Sequence, residues 1–168
     1  MKIAYNSGIF FLQKYGGISR YFCSIINEFI KDKKNVRVYS PIFKNNYLLD
    51  LPQDIRKGFY LSRYPVNYLL KDLIENISYF QISNSNCDIV HDTYYSKDIL
   101  KYKYKKKIIT VYDLIHEKFS HLYKNKNLEL KKKIIQSSDA IMCISENTKK
   151  DLIEHYRIDE KKIFVTYL

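Results

Sequence analysis

Four short apolar runs in this 168-residue chain each stop at a knot of polar side chains, and that recurrence limits the fold more than any other feature. The first run, Lys2–Asn6, leads through Ser7–Tyr15 to Gly16 and Gly17. Asp88–His91 stops at His91-Asp92-Thr93, Lys107–Tyr112 stops at Tyr112-Asp113, and Ala140–Ile144 stops at Ser145-Glu146-Asn147. Helical patterns lie between them. Ile18, Tyr21, Phe22, Ile25, Ile26, Phe29 and Ile30 form an apolar stripe of helical period, and Leu128–Ser137 and Thr148–Tyr156 read as further helices. Strands alternating with helices predict an α/β domain, doubly wound and Rossmann-like, with a mostly parallel sheet. Such a sheet binds ligands in the crevice at the carboxyl ends of its strands, so four polar ends predict one shared rim.

Gly16 and Gly17 stand where the first strand hands over to the first long helix. Glycine there lets backbone approach a ligand closely. The helix beyond offers free N–H groups and the positive end of its dipole, which suits a phosphate. A tight turn without a ligand is the plainer reading of the same pair. Further strands are expected at Asn35–Ser40 and from Lys162 to the end of the chain, with an irregular and helical middle punctuated by Pro41, Pro52 and Pro65. Within that middle, Arg56–Phe80 mixes aromatic and leucine residues with bases. It reads as a helix packed on the sheet, or as a segment that touches a membrane surface.

A chain of this length makes one domain with a sizeable core, and its 46% hydrophobic content is that of a globular protein. No long uncharged apolar run is present, and the N-terminus enters a strand directly, which argues against a signal peptide. Cys23, Cys87 and Cys143 lack metal-ligand spacing, and Cys23 and Cys143 read as small buried hydrophobes. An odd, scattered set of thiols fits a reducing cytoplasm. The net charge of +11 rests almost wholly on lysine, whereas base edges are read chiefly by arginine. No nucleic-acid partner is therefore expected. The densest basic run, Lys101–Lys107, reads as a solvated loop, with attraction to anionic lipid as a weaker alternative. His116-Glu117 and His121 place the histidines five apart rather than four, so the zinc helix motif is not met, and no Gly-x-Ser-x-Gly nucleophile motif occurs.

Several of these segments together resemble the N-terminal half of family 4 glycosyltransferases. The resemblance rests on Gly16-Gly-Ile-Ser-Arg-Tyr-Phe22, Thr110-Val-Tyr-Asp-Leu-Ile-His-Glu-Lys-Phe119, Ser138–Ile153 and the closing Lys162-Ile-Phe-Val-Thr-Tyr167, in the family's order. It implies one Rossmann-like acceptor-side domain of the GT-B arrangement over residues 1–168, working with a second domain that holds the nucleotide-sugar donor. It also implies retention of anomeric configuration and no metal or other cofactor. By the same resemblance Gly16, Gly17 and Arg20 face the donor phosphates, and Asp113 and His116 are the catalytic candidates. His91, Asp92, Tyr94, Tyr112 and Glu117 are the acceptor-side candidates. Tyr112 departs from the histidine that many members carry there. Glu146 and Glu154 have the separation of the family's donor-side glutamate pair, but they stand on a capped helix without glycine, roughly 80° apart around its axis. The donor domain is therefore expected to be absent from this chain. The implied activity is sugar transfer to a glycan or lipid-linked acceptor, at a cytoplasmic site that is peripheral to the membrane, within polysaccharide biosynthesis. The alternative is a non-catalytic or split-enzyme half that binds the acceptor, or a partner chain carrying the donor domain.

Overall fold

The computed structural model describes residues 1–64, 67–123 and 127–167. Pro65 and Leu168, which bear on the expected middle and the final strand, lie outside the described residues. Seven parallel strands form one sheet in the order β3-β2-β1-β4-β5-β6-β7. They are β1 (Lys2–Tyr5), β2 (Asn35–Phe43), β3 (Arg56–Tyr60), β4 (Ile89–Asp92), β5 (Lys106–Val111), β6 (Ala140–Cys143) and β7 (Ile163–Val165). The helices are α1 (Gly8–Leu12), α2 (Gly17–Lys31), α3 (Asn46–Leu49), α4 (Tyr68–Ser83), α5 (Ile115–Lys118), α6 (Leu128–Gln136) and α7 (Glu146–Tyr156).

Alternation along the strands divides the core in two. Ile3, Tyr5, Val36 and Val38 point to one face and pack under α1, α2 and α3, against Phe10, Phe22, Ile26 and Leu48. Ala4, Val90, Ile109, Val111 and Ile141 point to the other face and pack under α4, α6 and α7, against Tyr79, Ile82, Ile134, Ile135 and Leu152. Helices on both faces of a parallel sheet make the expected Rossmann-like architecture. The order of strands reverses between β1 and β4, which opens a crevice at their carboxyl ends.

Three expectations change. The Ser7–Tyr15 loop contains a short helix, α1, whose Ile9, Phe10 and Phe11 are fully buried. Apolar content, rather than helical period, draws those residues inward. The segment read as a single packed helix from Arg56 begins instead with the edge strand β3. Gly58 explains it: its φ is +152°, and a Cβ there would lie 1.7 Å from the carbonyl oxygen of Ser40. The β2–β3 register shifts at that point, between Tyr39 and Ile42. Finally, Lys106 and Lys107 belong to β5, so the basic run is loop only up to Lys105.

Candidate functional site

The crevice at the switch point is built on Asn6, just beyond β1. Its side-chain amide donates to Asp92 Oδ1 at 2.8 Å, and its carbonyl oxygen accepts from both the backbone N–H and the hydroxyl of Thr93 at 2.7 Å. The Thr93 hydroxyl oxygen in turn accepts from Ile9 N–H at the start of α1, at 3.1 Å. Asp92 Oδ2 accepts from Ser96 N–H at 2.9 Å. These bonds fix the turn after β4, and that turn delivers Tyr94 and Tyr95 to the rim.

There they meet the residues that follow β5. A cavity of about 310 Å³ is lined by Tyr94, Tyr95, Tyr112, Asp113, His116 and Ile18, together with Lys71, Asn127, Leu128, Leu130 and Lys131. Four of the sequence-selected residues are thus brought together: Tyr94, Tyr112, Asp113 and His116. Ile18 puts the first turn of α2 at the same wall. Gly17 opens that helix, and beyond its chain neighbours and the helix's own backbone nothing lies within 4 Å of where a Cβ would stand; no side chain of the N-cap residue caps the first turn. At Gly16 the nearest atoms a Cβ would meet belong to the flexible end of Gln13. Arg20 is exposed and does not line the cavity.

Charges in the wall are anchored from behind. Lys131 Nζ pairs with Glu117 Oε1 at 3.0 Å and donates to the carbonyl oxygen of Asp113 at 2.9 Å. It also stands 5.1 Å from the centre of the Tyr95 ring. Glu117 is not open to a ligand, since its side chain is 6% exposed and it also accepts the Tyr156 hydroxyl at 2.5 Å. Lys71 pairs at 2.8 Å with the buried Glu75, whose carboxyl is raised by burial while the Lys71 ammonium pulls it back down. Asp113 Oδ1 accepts from Ile115 N–H at 3.1 Å, which starts α5 and holds its carboxyl group at the cavity. The ring of His116 lies edge-on to Tyr123, with centroids 4.6 Å apart.

Two sequence-selected residues lie beneath this surface rather than on it. The His91 side chain is buried between Tyr5 and Phe22, with Nε2 2.9 Å from the Thr110 hydroxyl, and burial lowers its pKa to about 3. It is a neutral ring that cannot act as an acid near neutrality. Asp92 is fully buried. Burial, with the charge of Glu75, raises its pKa to about 6, against the pull of the Ser96 and Tyr94 amides. It shapes the rim from below. Tyr112 stays a neutral phenol because burial raises its pKa, so it supplies an aromatic wall and no imidazole-like chemistry.

Sequence reasoning did not select Lys71, Tyr95 or Lys131. Lys131 begins a run of three lysines, and nothing in the run separates it from its neighbours. The cap of α7 is Ser145, whose Oγ accepts from Thr148 N–H at 3.1 Å. Thr148 donates its hydroxyl to the carbonyl oxygen of Tyr112, and Asp151 pairs with Lys118. Among the described residues no group of three or more His, Cys, Asp or Glu is placed to hold a metal.

Comparison with known proteins adds the family. The sequence pattern of Glycosyltransferase Family 4 matches residues 15–168. The chain belongs to that family. Solved structures share its fold: a lipopolysaccharide outer core galactosyltransferase, WaaB, in its apo form, and Anabaena Alr3699/HepE in complex with UDP and glucose. The first superimposes with a TM-score of 0.63 at 17% identity over 99% of this chain, the second with 0.60 at 15% identity over 99%. This family 4 chain spans 45% and 44% of their respective lengths. No curated protein matches it.

Proposed function

We propose that this family 4 domain is the acceptor side of a retaining glycosyltransferase, which moves a sugar from a nucleotide sugar to a glycan or lipid-linked acceptor in polysaccharide biosynthesis. The nucleotide sugar is a substrate, and the reaction uses no metal or organic cofactor. The site of action is cytoplasmic, against a membrane surface. The observation that carries this reading is the convergence of Tyr94, Tyr95, Tyr112, Asp113 and His116 in one cavity beside the start of α2. Aromatic walls with a few fixed polar groups suit a sugar ring, and a hydrogen bond to a charged group contributes about 1.5–3 kcal/mol. Asp113 and His116 face the reacting hydroxyl, and Tyr94 and Tyr112 hold the ring. Gly16 and Gly17 leave room for the donor phosphates, with Arg20 nearby. That the Anabaena neighbour was solved with UDP and glucose supports this class of ligand.

The donor needs more than this surface. A helix N-terminus contributes about 0.3–1 kcal/mol toward an anion, and ~2 when sheltered. Even millimolar affinity needs about 4 kcal/mol. The donor-binding half must come from elsewhere, on the same polypeptide or on a partner chain. The test is NMR titration of the 168-residue chain, with nucleotide sugars and with a panel of glycans, followed by a transfer assay. Glycans are expected to move resonances of Tyr94, Tyr112 and His116, nucleotides to bind no tighter than about 1 mM, and transfer to be undetectable. Micromolar nucleotide binding, sugar transfer by the homogeneous chain, or glycan effects confined to other surfaces would each overturn the reading.

A further inference from the structure

Two ammonium groups reach the cavity wall, and they are not equivalent. Lys131 is committed to the protein. It donates to Glu117 Oε2 at 3.2 Å and to the carbonyl oxygen of Asp113 at 2.9 Å, the Tyr95 ring stands beside it, and its side chain is 12% exposed. Lys71 is 22% exposed and has one side-chain partner among the described residues, Glu75 Oε1 at 2.8 Å. An ammonium carries three N–H donors, so two of those on Lys71 are left for a ligand in the cavity it lines.

Glu75 fixes where those donors stand. It is buried one turn further along α4, and its second oxygen accepts from the Ser96 hydroxyl at 2.9 Å. Ser96 closes the turn that carries Tyr94 and Tyr95, through its N–H bond to Asp92. Within that turn Tyr95 has a φ of +47°, the left-handed region that bulky side chains avoid. One buried carboxylate thus ties the lysine to a strained turn on the same cavity. The plain reading of a Lys–Glu pair four apart is support for the helix, but lysine ahead of glutamate is the weaker orientation for that purpose. A buried pair must also be stripped of water, and apolar residues of the same volume serve a fold as well or better. The pair is better explained by what Lys71 does in the cavity. The cavity is polarised besides. Asp113, held by the Ile115 N–H, brings negative charge from the end of β5, and Lys71 brings positive charge from α4. A ligand with one anionic group is repelled by the first and drawn to the second, which sets its direction.

We infer that the acceptor is an acidic sugar, whose anionic substituent, a carboxylate or a phosphate ester, binds Lys71, with Glu75 as the positioning residue behind it. This rests on the acceptor reading above and adds to it the class of acceptor. With the anion on Lys71, the rest of the sugar extends toward Asp113 and His116. The rings of Tyr94 and Tyr112 meet neutral and acidic sugars alike, so discrimination between them falls to Lys71.

The experiment is NMR titration of the full chain with matched sets of methyl hexosides in the gluco, galacto and manno series: the neutral sugar, its uronate and its phosphate ester. At least one acidic member is expected to bind about tenfold tighter than its neutral parent, because a charge-assisted hydrogen bond is added, and to move resonances of Tyr94, His116 and Leu130. Whether the uronate or the phosphate ester gains more tells which anion the site takes. Lys71→Gln/Glu75→Gln, which strands no carboxylate, should bring acidic and neutral members to within about twofold of each other while neutral binding holds. Lys71→Gln alone, whose carboxamide still donates to Glu75, carries the same expectation, and Lys71→Arg should keep the preference. Removing a charge at Lys34, beyond the far end of α2, should leave the preference within about twofold. Neutral members that bind the cavity as tightly as every acidic one would overturn the inference and leave the acceptor reading standing. An acidic preference that survives both glutamine variants, or that Lys34→Gln abolishes, would do the same. No movement at the cavity with any member would overturn both.

Discussion

Replacing Lys131 with methionine tests whether the cavity wall is held by charge. Lys131 and Glu117 form a buried pair, their side chains 12% and 6% exposed at 3.0 Å. Removing the ammonium strands the Glu117 carboxylate in a place water barely reaches, which costs about 3–5 kcal/mol. The hydrogen bond to the carbonyl oxygen of Asp113 is lost as well. With a urea slope of about 2 kcal/mol/M for a domain of this size, the unfolding midpoint should fall by about 1.5–2.5 M. Lys131→Met/Glu117→Leu should recover most of that loss, because no charge then remains to be solvated. The residual deficit, about 1–3 kcal/mol, reflects the Tyr156 hydroxyl left without its acceptor, and Tyr156→Phe added to the pair should remove it. The single variant lying within about 1 kcal/mol of the parent, or the double variant being no better than the single, would refute the reasoning.

Three further predictions rest on the backbone and on buried titrating groups. Gly58→Ala should cost more than about 2 kcal/mol in urea unfolding, from a φ that side chains avoid and from collision with the Ser40 carbonyl; a loss below about 1 kcal/mol would show that the β3 edge relaxes freely. Asp92 should titrate near pH 6 by carboxyl-carbon NMR. Its folded pKa lies above the ordinary 3.8, so the folded state keeps a proton that the unfolded chain has lost. The residue's contribution to stability therefore declines as pH rises from about 4 to 6, by up to about 3 kcal/mol. His91 acts in the opposite sense: its folded pKa of about 3 lies below the ordinary 6.5, so its contribution is whole above pH 6.5 and declines as pH falls toward 3. Its ring resonances should be flat between about pH 5 and 8, and a midpoint near 6.5 would place it in solvent.

The rim was legible in the sequence because it depends on local order: an apolar run buries, and the polar residue after it emerges at the sheet's edge. Tyr112, Asp113 and His116 follow β5 directly and are found where that rule puts them. His91 and Asp92 show its limit. They are the last two residues of β4 rather than the first beyond it, and a residue still in the ladder is covered by neighbours. What sequence order could not show is which distant lysines close the cavity. Lys71 and Lys131 arrive there because Glu75 and Glu117 are buried behind them, a fact of packing across elements. Strand β3 was hidden for a different reason: Arg56–Tyr60 alternates poorly, and its place depends on the bulge that Gly58 admits.

The position of β1 has a consequence for how the chain is made. Of the seven strands it is synthesised before the others, yet it sits at the centre of the sheet, flanked by β2 on one side and β4 on the other. Its second edge, where Ile3, Ala4 and Tyr5 pair with Ile89, Val90 and His91, has no partner until β4 has been synthesised. At about 5–20 residues per second, that edge waits roughly 4–17 s on the ribosome. During that interval the growing polypeptide exposes an apolar strand with open N–H and C=O groups, which is a template for aggregation. Substitutions that slow translation ahead of β4 should therefore lower the yield of soluble protein without altering the stability of what does fold.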